Sequence, residues 1–418
     1  MRAAPVGGLG RLLSRPDFKR LLVGQTASGF GDWMATVALL ALVHERTGSS
    51  TAVGGVLVLR LAPAVFAGPL AAKLVGRFDT RQTMLVADAF RAVIVALLPL
   101  WDAIAWIYVA AFLLELGGLV FLPARDAAVP RLTEGRDLEL ANGLILGTSY
   151  GTIPFGAAAF AAVAALTGSL ALVFWIDAVT FAVSFAAIAR ITSLEAGSRR
   201  PDGGEVGVAG DVAPSFRAAW RVPLVRAIVP VAVGVALGLG ALFSVGVVYV
   251  RDVLGASNAT FAGLVALFGV GAAAGLGLLH TTGGASVGRV RGLVASQGLV
   301  IAAMSQAPDV ALTLVGALLF GAAAAAGLAA AMSVLQERLV DRELFLAFTA
   351  FHVVIRAGLA LAALAAGVAA DLVGAVDWPL LGRLEGARVV LLGAGLTVAA
   401  TTLGSRSLAA LATGDPPR

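Results

Sequence analysis

The sequence predicts an all-α membrane protein with twelve transmembrane helices arranged as two six-helix bundles. Three observations lead to this prediction: an apolar composition, a series of long apolar segments, and a charged linker in the middle of the chain. Of the 418 residues, 59% are hydrophobic and only 13% are charged, whereas soluble domains carry about 25% charged residues. A soluble fold of this size would need more polar residues to cover its surface, and a lipid environment removes that need.

The apolar segments have the length needed to cross a bilayer. A hydrocarbon core requires about 20 apolar residues in a helix, and helices satisfy their own backbone hydrogen bonds in lipid. We predict spans at residues 20–43, 51–74, 82–100, 104–125, 139–166, 170–189, 224–250, 257–280, 288–306, 309–333, 343–370 and 386–405.

The basic residues predict the orientation of the chain. If the N-terminus is cytoplasmic, 23 of the 30 Lys and Arg residues lie in cytoplasmic segments and only Arg46, Arg251, Arg383 and Arg388 lie in outer loops. Cytoplasmic loops are enriched in Lys and Arg. The pattern therefore predicts a multi-pass protein of the cell (inner) membrane with both termini in the cytoplasm.

The longest predicted loop, Arg190–Val222, lies at the middle of the chain and contains the charged stretch Arg199-Arg200-Pro201-Asp202. Such a composition is typical of a flexible linker. We predict an N-terminal six-helix bundle at 1–195, a cytoplasmic linker at 196–222 and a C-terminal six-helix bundle at 223–418. Two six-helix halves indicate an internal repeat, as in secondary transporters.

The composition excludes several kinds of chemistry. There is no cysteine, which excludes disulfides, thiol catalysis and cysteine metal sites. Neither lysine, Lys19 or Lys73, precedes Ser or Thr, so a phosphate-binding loop is absent, and the three histidines are far apart in sequence. We therefore predict no catalytic residue, no metal, no cofactor and no enzyme activity. The basic residues lack a stripe with interleaved aromatics, which argues against nucleic acid binding.

Several motifs in the first 150 residues occur together in a known family. They are Phe18-Lys19-Arg20-Leu21-Leu22, Gly31-Asp32-Trp33, Arg60-Leu61-Ala62-Pro63, Gly68-Pro69-Leu70-Ala71, Gly76-Arg77-Phe78-Asp79-Thr80-Arg81, Ala87-Asp88-Ala89-Phe90-Arg91 and Leu140-Ala141-Asn142. This region resembles the major facilitator superfamily, in particular its drug and siderophore exporter branch.

The resemblance implies a conformational gating motif in the loop between the second and third spans and in the adjoining parts of these spans. The residues concerned are Gly68, Gly76, Arg77, Asp79, Arg81, Asp88 and Arg91. Gly76 stands where the family usually carries an acidic residue, and Asp79 is expected to substitute for it in part.

Ionisable residues inside the spans are candidates for substrate binding and proton coupling, because each central charge costs at least ~2.5–3.5 kcal/mol and needs a partner or a water-filled cavity. The candidates are Asp32, Arg60, Glu115, Asp177, His352 and Arg356. From the helical rise, Asp32, Arg60 and Glu115 share one depth near the midplane. We predict an Asp32–Arg60 ion pair, which leaves Glu115 less compensated. Glu115 is therefore the preferred carrier of the coupling proton, and Asp32 is the second choice.

Helical spacing groups the remaining charges. Asp88 and Arg91 are three residues apart and are predicted to meet on one helix face, with a structural or gating role favoured over substrate contact. His352 and Arg356 are four apart in the eleventh predicted span, and Arg356 is a candidate substrate or gate contact. For Asp177 the structural and functional interpretations stay open.

These features predict a proton-coupled secondary exporter of small amphiphilic molecules such as drugs or siderophores, acting as a monomer in the lipid bilayer. Two alternatives stay open. One is an importer or uniporter of a small metabolite, and the other is a polytopic membrane receptor that transports nothing.

Overall fold

The computed structural model describes residues 6–66, 79–134, 137–194, 220–281, 286–339, 341–378 and 382–404. These residues are almost entirely helical. In chain order the elements are α1 (Val6–Leu13), α2 (Pro16–Thr47), α3 (Ser50–Phe66), α4 (Thr80–Leu97), α5 (Ile104–Leu132), α6 (Leu138–Gly151), α7 (Ile153–Thr167), α8 (Leu170–Ala189), α9 (Pro223–Val248), α10 (Asn258–Thr281), α11 (Val287–Ser305), α12 (Val310–Arg338), α13 (Asp341–Val373), the antiparallel strands β1 (Val376–Trp378) and β2 (Gly382–Leu384), and α14 (Gly386–Gly404).

The helices confirm the predicted fold class. Within the described residues, 10 helices are long and apolar enough to cross a membrane, and two shorter apolar helices cover Ser50–Arg60 and Ile153–Thr167. Together they match the twelve predicted spans. The predicted fifth span at 139–166 is interrupted, however: α6 ends at Gly151 and α7 begins at Ile153, followed by Pro154. Proline lacks a backbone N–H and clashes with the preceding turn, which explains the break.

Contacts between residues divide the chain into two units. Unit 1 comprises residues 1–39 and 59–209, and unit 2 comprises 40–58 and 210–418. Residues 40–58 comprise the end of α2, the connecting turn and the start of α3. They group with the C-terminal helices. The predicted bundle limits at 195 and 223 stay a prediction, because most of the linker lies outside the described residues.

In unit 1, α4 packs against α5 and α8. An apolar core built around Phe18, Leu21, Met84 and Phe121 fills the space near the start of α2. Arg81, in the first turn of α4, donates hydrogen bonds to the backbone oxygens of Ile188, at 3.3 Å, and Ala189. It thereby supplies donors for the last carbonyls of α8, which lack partners within their own helix.

In unit 2, α11 contacts α12 and α14, as α4 contacts α5 and α8 in unit 1. Within unit 2, α9 also packs on α13 and α10 on α12. Arg291 of α11 donates to the backbone oxygens of Thr402, at 3.3 Å, and Leu403, at the end of α14. In both units, therefore, an arginine on the helix of the third or ninth predicted span donates hydrogen bonds to the end of the helix of the sixth or twelfth predicted span. This correspondence supports the predicted internal repeat.

Candidate functional site

Six charged side chains from five helices of unit 1 form the candidate site, which we call the charged cluster. They are Asp32 on α2, Arg60 on α3, Asp88 and Arg91 on α4, Glu115 on α5 and Asp177 on α8. The cluster thus contains four carboxyl groups and two guanidinium groups. Such charges inside membrane helices are costly and are therefore associated with function.

Arg60 lies between Thr36 and Glu115. Its Nε is 3.6 Å from Glu115 Oε2, and its Nη1 donates to Thr36 Oγ1 at 2.5 Å. The predicted Asp32–Arg60 ion pair is therefore wrong, and so is the premise that Glu115 lacks a cationic partner. Residue numbers give the depth of a side chain through the helical rise, but they do not give the direction in which it leaves each helix.

Asp32 pairs instead with Arg91, whose Nη1 lies 3.7 Å from Asp32 Oδ2. Arg91 Nη2 also donates to Asp88 Oδ1 at 2.5 Å, which confirms that Asp88 and Arg91 meet on one helix face. The predicted gating role of Arg91 stays a prediction. In addition, the structure brings Arg91 next to Asp32, a contact that its sequence position did not predict.

Aromatic rings hold the Arg91 guanidinium in place. Its carbon lies 4.7 Å from the ring centre of Phe121 and 4.4 Å from that of Phe181, within the range of cation–π attraction. Gly117 makes room for the side chain, since a Cβ there would lie 2.6 Å from Arg91 Cγ. Arg91 is thus fixed by α5 and α8 while it bridges two carboxylates.

The four acids of the charged cluster differ in exposure. Asp88 and Asp177 are fully buried, with 0% and 1% of their surface exposed. The side chains of Asp32 and Glu115 are 42% and 33% exposed. The cluster therefore has two partly exposed carboxyl groups and two buried ones.

Asp177 is held by Thr180, whose Oγ1 donates to Asp177 Oδ1 at 3.0 Å. None of the described arginines forms an ion pair with it. Gly31, the residue before Asp32, packs directly against Asp177. A Cβ on Gly31 would collide with Asp177 Oδ1 and Thr180 Oγ1.

The structure describes part of the predicted gating motif. Gly68, Gly76 and Arg77 lie outside the described residues. Asp79 occupies the N-cap position of α4, but its side chain makes no capping hydrogen bond. Arg81 caps α8, as described above.

The two candidates of the C-terminal half both lie on α13. The His352 side chain is outside what the structure describes, and Arg356 is exposed. Among the described side chains, none forms an ion pair with Arg356. A role for either residue therefore stays a prediction.

Sequence reasoning missed one buried polar pair. Arg125 and Gln25 are only 7% and 8% exposed, and Arg125 Nη1 donates to Gln25 Oε1 at 3.1 Å. The predicted span ended at Arg125, whereas α5 continues to Leu132. The apolar residues Ala127-Ala128-Val129 beyond Arg125 were the signal that the helix goes on.

Among the residues that the structure describes, ten helices are long and apolar enough to cross a membrane, and ionisable side chains lie between helices of unit 1. These features define a multi-pass membrane protein. The sequence profile of the Major Facilitator Superfamily matches residues 21–305, and the chain belongs to that family. This assignment places the protein among transporters rather than enzymes.

Curated relatives match parts of the chain. It is 34% identical over 184 residues to BacE of Bacillus subtilis (strain 168), which its name proposes as a bacilysin exporter; the match covers 42% of this chain and 44% of BacE. It is 28% identical over 223 residues to the multidrug efflux pump Tap of Mycobacterium tuberculosis (strain ATCC 25618 / H37Rv), covering 49% of this chain and 51% of Tap. The matches thus span about half of each relative's length.

Solved structures show the same fold over nearly the whole chain. The nucleoside transporter NupG, as its D323A mutant, matches with a TM-score of 0.74 at 10% identity, covering 94% of this chain and 99% of NupG. A bacterial homolog of the human lysosomal transporter Spinster, in an inward-facing and occupied conformation, matches with a TM-score of 0.72 at 13% identity, covering 96% of this chain and 98% of that chain.

Proposed function

We propose that the chain is a secondary active exporter that exchanges protons for small amphiphilic molecules. The observation that carries the proposal is the charged cluster, in which four carboxyl groups share two guanidinium groups within membrane helices. A proton antiporter needs carboxyl groups that can lose and regain a proton inside the membrane. The names of BacE and Tap, which describe export, support the outward direction.

The proton is carried by Asp32 together with Asp177. Glu115 was the first choice from the sequence, but each of the two acids has an arginine partner, at 3.6 Å for Glu115 and 3.7 Å for Asp32. What favours Asp32 is a second carboxyl group beside it, since the buried Asp177 packs against the adjacent Gly31. Asp32 is also partly exposed. Two nearby carboxyl groups disfavour double ionisation, so one proton shared between them is stable. Arg91 balances Asp32 when that proton leaves, because it already lies 3.7 Å away.

The transported molecule is cationic, or neutral and lipophilic. When Asp32 is ionised, the charged cluster contains more negative than positive groups, and its two accessible acids are Asp32 and Glu115. A bound cation gains from this excess, whereas an anion is repelled. A cationic substrate and a proton then compete for the Asp32 carboxylate. This competition couples the transport of substrate to the transport of protons.

The test is transport by the purified protein in proteoliposomes with an imposed pH gradient, using a panel of cationic, neutral and anionic amphiphiles. We expect gradient-driven transport of cationic or neutral compounds. Asp32→Asn and Asp177→Asn should each reduce it at least tenfold, since neither amide can release a proton. Glu115→Gln should reduce it less.

Asp377→Asn is the matched control, because Asp377 is an exposed acid on β1, outside unit 1. It should transport like the parent protein. Full gradient-driven transport by both Asp32→Asn and Asp177→Asn would contradict the assignment of the proton carrier. Transport that ignores the pH gradient in the parent protein would contradict proton coupling itself.

A further inference from the structure

Three polar side chains lie on one face of α2, and each is contacted by an arginine from another helix. They are Gln25, Asp32 and Thr36, which the helical repeat places within about 40° of one another around the axis. Asp32 is paired with Arg91, and Thr36 accepts a hydrogen bond from Arg60. Both arginines have carboxylate partners in the charged cluster. The contact at Gln25 lies about two turns closer to the start of α2.

This third contact is the buried pair of Arg125 and Gln25. Arg125 Nη1 donates to Gln25 Oε1 at 3.1 Å. Arg125 Nε and Nη2 donate to Asp126 Oδ1 at 2.9 and 2.7 Å, but the Asp126 side chain is 63% exposed. An exposed carboxylate is screened by water and salt. On its buried side, Arg125 faces the uncharged amide of Gln25, so its positive charge acts toward the interior of unit 1.

The stretch of α2 between this pair and Asp32 is buried and polar. Ser28 is 3% exposed. Gly29 packs against Thr152, whose Oγ1 would lie 3.2 Å from a Cβ on that glycine, and Thr152 is itself buried. Polar groups in series inside a membrane protein mark routes for protons and ions. A proton that followed this face of α2 from its start would pass Arg125 before it reached Asp32.

We infer that Arg125 is an electrostatic barrier that prevents protons and other cations from reaching Asp32 through the interior of unit 1. This inference rests on the proposed function, in which Asp32 exchanges its proton through the exposed part of its side chain. A second route along α2 would let protons cross without a transported molecule and would dissipate the gradient. A fixed positive charge in a low-dielectric interior opposes that route, because it raises the energy of any cation nearby.

Proton leak in the absence of any transported compound tests the barrier. The purified full-length protein is reconstituted in proteoliposomes that contain a trapped pH-sensitive dye, and a potassium gradient with valinomycin sets a membrane potential that drives protons inward. Arg125→Gln should raise the rate of acidification about tenfold over the parent protein, because it removes the charge and keeps a hydrogen-bond donor. Arg125→Lys retains the charge and should stay near the parent rate.

Gln25→Glu separates the effect of charge from that of structure. This change preserves the shape of the side chain and strengthens the contact with Arg125, but the new carboxylate cancels the positive charge. A barrier made by charge predicts faster leak in this variant, whereas a purely structural pair predicts no change. The variant also serves if Arg125→Gln folds poorly. Arg131→Gln is the matched control, an exposed arginine in the last turn of the same helix, and should leak like the parent.

The double variant Arg125→Gln with Asp32→Asn identifies the route, since a leak that passes through Asp32 should return to the parent rate. Parent-like leak in both Arg125→Gln and Gln25→Glu would overturn the barrier, and so would a double variant that keeps the raised rate. Either result would leave the transport proposal intact. Raised leak in both single variants, without gradient-driven transport by the parent protein, would support the barrier while contradicting the proposed function.

Discussion

At the scale of single residues, Arg91 connects the accessible and the buried acids. Its guanidinium reaches Asp32 at 3.7 Å and Asp88 at 2.5 Å, between the rings of Phe121 and Phe181. Burying an arginine side chain is costly unless its charge is compensated. Here two carboxylates and two aromatic faces compensate it. Arg91 can therefore remain in position whether or not Asp32 carries a proton.

The sequence identifies the charged residues of the cluster, but it does not identify the partner of each one. The ionisable residues of the charged cluster stand out inside apolar segments, and all of them were selected from the sequence. Their partners were not predictable, because Asp32, Arg60 and Glu115 share a depth but project from three different helices. Only Asp88 and Arg91, which lie on one helix, could be paired from their spacing.

The Arg60–Glu115 ion pair leads to a prediction about the coupling free energy of these two residues. In a double-mutant cycle on thermal unfolding in detergent, Arg60→Gln and Glu115→Gln should couple by about 0.5–3 kcal/mol, as contacting charges do. Arg60→Gln and Asp32→Asn should couple more weakly than this, because no ion pair joins the two side chains among the described residues. Additivity in the first cycle and coupling in the second would instead restore the pairing expected from the sequence.

A second prediction at the scale of residues concerns the effect of Gly31→Ala on stability. Gly31→Ala should destabilise the protein by about 1–3 kcal/mol, the usual cost of overpacking, because the new Cβ collides with Asp177 and Thr180. The measurement is the thermal unfolding midpoint. Gly118→Ala is the matched control, since a Cβ there meets nothing within 4 Å, and it should leave the midpoint nearly unchanged. A similar loss in both variants would indicate a general effect of glycine replacement.

At the scale of helices, most elements were predictable and their ends were not. Long apolar segments identify spans reliably, but α5 continues past Arg125 to Leu132 and the fifth predicted span is divided at Thr152. The first difference arises because Arg125 finds Gln25 as a partner within unit 1. The second arises from Pro154, whose effect on a helix depends on whether neighbouring groups satisfy the freed carbonyls.

The arginine caps on α8 and α14 give a prediction about these helices. Arg81→Gln should lower the stability by about 1 kcal/mol, because it removes hydrogen bonds and a favourable charge at the end of α8. Arg291→Gln should have a similar effect on α14. The control is Arg131→Gln, at an exposed position in the last turn of α5. Thermal unfolding measures all three, and an equal effect of the control would argue against capping.

At the scale of the whole molecule, the fold class followed from composition and span count. The match to NupG over 94% of this chain at only 10% identity shows how little sequence the fold requires. A membrane constrains topology strongly, since each crossing must be a self-satisfied helix. The grouping of residues 40–58 with the C-terminal helices could not be predicted, because it depends on contacts such as Asp371 with Ser50 that are distant in sequence.

The orientation of the chain is the remaining prediction at this scale. The placement of 23 of the 30 Lys and Arg residues in alternate loops predicts that both termini and the 196–222 linker are cytoplasmic. Because the chain has no cysteine, Glu205→Cys and Asp377→Cys each provide one labelling site, in the linker and in the β-hairpin. In intact cells, a membrane-impermeant maleimide should label the Asp377→Cys protein and spare Glu205→Cys. Opening the cells should then expose Glu205→Cys to the reagent. Labelling of Glu205→Cys from outside intact cells would reverse the predicted topology and with it the direction assigned to transport.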